Sequence, residues 1–152
     1  GMYDFRFSMI EASMGVNDRM PEYCVERIGD MLYRRFRKPL NGSKILILGV
    51  AYKHDTDDCR ESPAIRIIDK LRTKGADIMF YDPYITRYLY HGEVYEGERE
   101  LTAELIRSAD TVVIIPPHSN VDYEFVIRHA KAVFDICNAT KHLTDRSNVE
   151  LL

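Results

Sequence analysis

The chain lacks any apolar run approaching the ~20 residues that cross a bilayer, and no basic-then-apolar secretory segment opens it. A membrane partner is therefore not expected. Cysteine is sparse: Cys24, Cys59 and Cys137 are odd in number and widely separated. They form neither a disulfide framework nor a metal-ligand spacing, so no metal site is expected, and a reducing cytoplasm is the expected location. No excess of basic residues exists, since 21 Lys and Arg stand against 24 Asp and Glu for a formal charge of −3. That balance argues against nucleic acid as a partner. The eight glycines never fall as Gly-x-Gly-x-x-Gly, and Gly-Lys-Ser/Thr is missing. Both backbone cradles for a dinucleotide or nucleoside triphosphate phosphate are thus absent.

What is present suits one globular domain: 152 residues, 45% apolar and 30% charged. From Phe7 to about Phe36, apolar residues recur with helical spacing at Ile10, Met14, Met20, Cys24, Ile28, Met31 and Leu32. Pro21 should kink this helix or open a new one, with Asn17 or Asp18 as cap. The basic cluster Arg34, Arg35, Arg37 and Lys38 reads as a solvated helix end that favours the C-terminal dipole. A turn at Leu40–Ser43 then separates a helical segment, residues 1–40, from an alternating strand and helix pattern over 41–152. Strands are predicted at 44–48, 77–81, 111–115 and, last, 132–136. Helices are predicted at 63–74, 101–108 and 123–130, with an irregular excursion or small hairpin over 84–100. Aliphatic strands alternating with helices imply an α/β fold: a three-layer, Rossmann-like, open and mostly parallel sheet with helices on both faces, preceded by a long N-terminal helical segment.

The most informative stretch runs from Ile45 to Ser62. An aliphatic strand stops at Gly49, Tyr52 and Lys53 follow, then Asp57, Asp58, Cys59, Arg60 and Glu61, and Ser62-Pro63 opens a helix. This is where open α/β sheets gather ligands. Lys53 can neutralise a phosphate, and Tyr52 can shelter a base or sugar. By spacing alone, Lys53 serves equally as a surface lysine in a salt-bridged loop. Asp58 with Arg60 and Glu61 reads as loop-structuring, and Ser62 before Pro63 as an N-cap with proline at N1. Asp57 and Asp58 have no further ligand at metal spacing.

Elsewhere, Asp82 lies 33 positions after Gly49 and precedes Pro83, which suits a turn better than a ribose-binding acid. His118, after Pro116-Pro117, carries little signal. Cys59 beside two aspartates is not expected to be a nucleophile, and Cys24 lies on the apolar helix face.

The segment Gly49 to Pro63 resembles the Gly-x-x-Tyr-Lys-x-x-x-x-Asp-x-Arg-Glu-Ser-Pro signature of UDP-glucose/GDP-mannose dehydrogenases. Asn17 to Tyr23 is similar to the tail of that family's central, dimer-forming helical region. The likeness extends over about Asn17 to Asn138. It implies that residues 1–40 are that tail and 41–152 the nucleotide-sugar-binding domain. It further implies that Lys53, beside Tyr52, contacts the nucleotide sugar, with UDP favoured over GDP and neither the nucleotide nor the sugar fixed by the sequence. Relatives oxidise a sugar C6 alcohol to the carboxylate with two NAD, in polysaccharide biosynthesis. Their NAD domain and catalytic cysteine loop are not in this sequence, so no cofactor and no catalytic residue are expected here. The opening Gly1-Met2 reads as a cloning scar before an internal start, on a piece cut from a longer protein, expected to be oligomeric through the N-terminal helix. A free-standing nucleotide-binding or regulatory module is the alternative. One departure stands out: residues 133–138 resemble a family strand ending Asp-x-Arg-Asn, but Cys137 takes the place of the arginine. A thiol cannot replace a five-donor guanidinium, which makes Cys137 a candidate lost contact.

Overall fold

The sequence Lys44–Leu48 alternates two apolar faces without a polar one, which a strand does only when both sides are covered. In the computed structural model, which describes residues 19–50, 62–115 and 120–152, this strand, β1, is the second of five in a sheet. Chain order begins with helix α1 (Arg19–Phe36), then β1, helix α2 (Pro63–Thr73) and strand β2 (Asp77–Tyr81). A hairpin of β3 (Arg87–Tyr90) and β4 (Glu93–Glu96) follows. Then come α3 (Ala103–Ser108), β5 (Thr111–Ile114), α4 (Tyr123–His129), β6 (Val133–Asp135) and β7 (Val149–Leu151).

The large sheet has the order β2-β1-β5-β6-β7, and all four pairings are parallel. Ile45 and Ile47 join a core with Cys24, Ile28, Met31 and Leu32 of α1 and Ile67, Ile68 and Leu71 of α2. Leu46 and Leu48 turn to the other face and meet Ile106 of α3 with Tyr123 and Val126 of α4. The result is the expected three-layer α/β arrangement, with α1 sharing the α2 layer rather than standing off it.

Register is locked at the N-terminal edge by Asp110. Its Oδ2 accepts from the Lys44 amide at 2.8 Å, its Oδ1 from Lys38 Nζ at 2.7 Å, and its own amide donates to the Lys44 carbonyl. Burial pushes this carboxyl up, but Lys38 and the Lys44 amide outweigh it and hold it below its ordinary value.

Two expectations need correction. The strand at 133–135 is not the last, because β7 pairs with it in parallel through Val133↔Val149 and Asp135↔Leu151. Three half-buried residues are too short to display a period. Nor is the basic end of α1 simply solvated. Arg34 and Arg35 both grip Glu150 of β7, at 2.6 and 3.2 Å, and Arg27 donates to the Leu151 carbonyl at 2.8 Å while lying over the Phe134 ring. The cations dock the helix on the edge strand.

The excursion at 84–100 is a hairpin with Leu89 opposite Val94. Its inner aromatics close on α2: Arg72 stacks on Tyr95 at 4.0 Å from the ring centroid and donates to Tyr88 Oη, and Tyr88 packs on Phe80. Among the described residues no helix is long and apolar enough to cross a membrane.

Candidate functional site

Strand order reverses between β1 and β5, since β2 leaves to one side of β1 and β6 to the other side of β5. In an open parallel sheet, the diverging loops at that point leave a crevice outside the carboxyl ends of the strands. The chain passes from β1 into it through Gly49, whose φ of +90° suits only glycine without strain.

The exit from β1 is held tightly. The Gly49 amide donates to the Tyr81 carbonyl at 2.9 Å, and the Val50 amide donates to Asp82 Oδ2 at 2.8 Å. Asp82 is 3% exposed, and its Oδ1 accepts from the Tyr84 and Ile85 amides. The turn expected at Asp82-Pro83 is therefore present, and the same carboxylate reaches across to brace the neighbouring loop. Where the chain re-enters, Ser62 is fully buried and caps α2, its Oγ accepting from the Ala64 amide with Pro63 at the first helical position.

The exit from β6 is built by a second buried carboxylate, Asp135. It accepts from the Ala139 amide at 2.9 Å, the Thr140 amide at 2.9 Å and Thr140 Oγ1 at 2.6 Å. Inside this turn Asn138 adopts φ +58°, and its Oδ1 is shut from solvent with no partner. Asp135 is a site-building residue that was not among the residues expected from the sequence. Its signal was an aspartate at a strand end four and five residues before small and hydroxyl-bearing residues, a spacing that lets one carboxylate collect backbone amides.

Cys137 falls in the core with Leu48, Ile114 and Val126. Its Sγ lies 3.8 Å from the Ile114 carbonyl and from Asp135 Oδ1, and burial, followed by the Asp135 charge, holds the thiol well above its ordinary pKa. Cys24 is likewise buried, and burial pushes it up to about 12. Tyr52, Lys53, Asp57, Asp58, Cys59, Arg60, Glu61 and His118 lie outside the described residues.

The described residues do not fit NAD. Pyrophosphate would require free backbone amides directly after β1, and those of Gly49 and Val50 are donated to Tyr81 and Asp82. The acid at the end of β2, which could meet a ribose, is buried against backbone amides. A separate hollow of about 560 Å³, lined by Ile127, Arg128, His142, Leu143 and Asn148 among others, lies where α4 ends. Because α4 carries the chain back toward the start of β6, that hollow sits away from the switch-point crevice.

A parallel switch-point sheet, with Asp82 holding the exit of β1 and Asp135 the exit of β6, defines an α/β domain of the kind that gathers ligands at its carboxyl edge. The profile of the UDP-glucose/GDP-mannose dehydrogenase family, UDP binding domain, matches residues 46–142, and the chain belongs to that family. It is 29% identical over 141 residues to a UDP-N-acetyl-D-mannosamine dehydrogenase of Pyrococcus horikoshii, covering 89% of this chain and 31% of the relative. It is 32% identical over 130 residues to a UDP-glucose 6-dehydrogenase of Haloferax volcanii, covering 84% and 29%. Among solved structures, an NDP-N-acetyl-D-galactosaminuronic acid dehydrogenase of Methanosarcina mazei superposes with a TM-score of 0.62 at 29% identity, covering 80% of this chain and 26% of that one. The Pyrococcus horikoshii enzyme gives a TM-score of 0.68 at 24% identity, over 90% and 31%. The chain thus spans about three-tenths of the length of these relatives.

Proposed function

We propose that this chain is the nucleotide-sugar-binding part of an NAD-dependent nucleotide-sugar 6-dehydrogenase and does no redox chemistry by itself. The observation that carries this reading is that the family match, residues 46–142, takes in the carboxyl ends of four of the five strands, from the exit of β1 to the turn after β6. In that reading Lys53 meets the diphosphate and Tyr52 the base or sugar, while Ser62 anchors the return of their loop into α2. NAD, which supplies hydride acceptance in the parent enzyme, belongs to a domain outside this chain. UDP is favoured over GDP because it is what this domain of the family is described as binding. Residues 1–40 serve as the tail of a central helical region, with the outward Tyr23 and Tyr33 of α1 available to a second subunit, in a cytoplasmic enzyme.

Calorimetric titration of UDP, GDP and NAD into the protein tests this. Weak UDP binding, no tighter than roughly millimolar, is expected, because one charge-assisted contact contributes about 1.5–3 kcal/mol, short of the ~4 kcal/mol that 1 mM requires, and neighbouring domains are absent. No binding of NAD is expected. In the longer polypeptide, Lys53→Ala should raise the KM for the sugar nucleotide much more than that for NAD. Saturable NAD binding to this chain, or equal effects of Lys53→Ala on both substrates, would refute the assignment. Light scattering of the longer polypeptide that gives a strict monomer would refute the oligomer.

A further inference from the structure

We propose that the outer face of the β3–β4 hairpin is a contact surface for a second copy of this chain, the two joined about a two-fold axis that runs along the hairpin between its strands. This surface lies on the far side of β2 from the switch point, so it stands apart from the nucleotide reading above. Side chains alternate along β3 and β4. Tyr88 and Tyr95 turn inward, and the pairs Leu89↔Val94 and Arg87↔Glu96 therefore turn outward together. Leu89 is 70% and Val94 58% exposed, and among the described residues they are the two large aliphatic side chains left in solvent. A single exposed apolar residue needs no explanation, but these stand directly opposite each other on one face. The hairpin cannot roll over to bury them. His91 and Gly92, both at positive φ, form the two-residue turn that fixes the register. The inner side is held by the stack of Arg72 on Tyr95, by Tyr88 against Phe80, and by the Glu98 amide, which donates to the Phe80 carbonyl at 2.8 Å.

Charge identifies the occupant. Arg87 and Glu96 are both exposed, and among the described residues neither takes part in an ion pair. Turning a second copy by a half-turn about an axis parallel to the strands lays its β3 over the first copy's β4. Leu89 of each copy then meets Val94 of the other, and Arg87 of each meets Glu96 of the other. Apolar falls on apolar and each charge on its opposite, which is the self-complementarity that an isologous interface requires. A two-fold axis across the strands would instead set Leu89 on Arg87 and Val94 on Glu96, so the pattern selects one geometry. Four side chains fall well short of the ~800 Å² per partner of a stable dimer. Between free chains the contact is therefore weak, of roughly millimolar strength, and it gains force where another contact already holds two copies together.

Sedimentation velocity of the 152-residue chain at low ionic strength tests this, with the charge-reversed variants Arg87→Glu and Glu96→Arg. The wild type should self-associate as its concentration rises toward about 1 mM, and added salt should weaken the association. Each variant alone sets like charges against each other at both contacts and should associate roughly tenfold more weakly. Mixed in equal amounts, with one of them carrying a fluorescent label, the two variants should recover wild-type association, because both contacts then pair opposite charges again. Each reversal also loosens the variant's own cross-strand pair. Mixing cannot restore that pair, so recovery in the mixture reads only the contact between copies. A wild type that stays monomeric to about 1 mM, or an equimolar mixture no stronger than the separate variants, would overturn the proposal. So would association that neither reversal weakens, which would place the contact on another face such as α1.

Discussion

Asp82→Ala should be among the most damaging single changes at the carboxyl edge, and its size follows from the geometry. The alanine leaves the Val50 amide, on a residue that is 0% exposed, without its acceptor, and also frees the Tyr84 and Ile85 amides. Tyr84 is exposed and its amide can take up water, so two buried donors remain. Each orphaned donor costs about 1–3 kcal/mol, which places the loss near ~3 kcal/mol. For a chain of this length that lowers the melting temperature by roughly 6–12 °C. Asp82→Asn should fall between. Its oxygen still accepts from Tyr84 and Ile85, but its NH2 then faces the Val50 N–H, donor against donor. Urea unfolding followed by far-ultraviolet circular dichroism, with equal m-values required, reads these differences. A loss under about 0.5 kcal/mol for Asp82→Ala would refute the bracing argument.

Gly75→Ala should cost about 2 kcal/mol, because φ is +90° and a Cβ there would meet Asn41, with Cγ at 3.0 Å and Cα at 3.3 Å; thermal melts within 1 °C of wild type would contradict it. Cys24 and Cys137 should resist alkylation at pH 8 until the protein unfolds, since burial raises both thiols; peptide mapping that finds either labelled in native protein at a free-cysteine rate would count against this. Asp110 and Glu150 both titrate below their ordinary values in the folded state, Asp110 through Lys38 and Lys44 against its burial, Glu150 through Arg34 and then Arg35. Their contribution is complete above the unfolded carboxyl pKa of about 4 and disappears as pH falls through the folded values, so Asp110→Asn with Glu150→Gln should flatten the acid limb of a urea-midpoint profile. Unchanged steepness there would speak against both pairs.

The aliphatic strands were legible because both faces of β1 and β5 are covered, which leaves no polar position to blur the run. Ser62-Pro63 and Asp82-Pro83 were legible for local reasons: each pair restricts the backbone in a way that depends on no distant residue. β7 was not, since Val149–Leu151 is defined by its neighbour and by arginines more than a hundred positions upstream. The same distance hid the purpose of Arg34 and Arg35, whose spacing on α1 shows only that they share a helix end. At the β6 turn, a motif comparison directs attention to Cys137, because a missing cation is conspicuous in one dimension. Only the strand's alternation, with Phe134 and Ile136 toward one layer and Val133 and Cys137 toward the other, shows that position 137 belongs to the core and leaves Asn138 at the edge.

The clasp between α1 and β7 also sets a schedule for the chain's first folding. Arg34 and Glu150 are separated by 116 positions, and a ribosome adding about 5–20 residues per second needs roughly 6–23 s to cover them. During that interval α1 can settle on α2 and β1 as they emerge, and once β6 is made its outer edge has no strand beside it until β7 follows. An unpaired, buried-type edge is a template for the wrong neighbour. On crowded polysomes the hazard is intermolecular pairing at β6, and its duration is set by the rate of translation through residues 136–151.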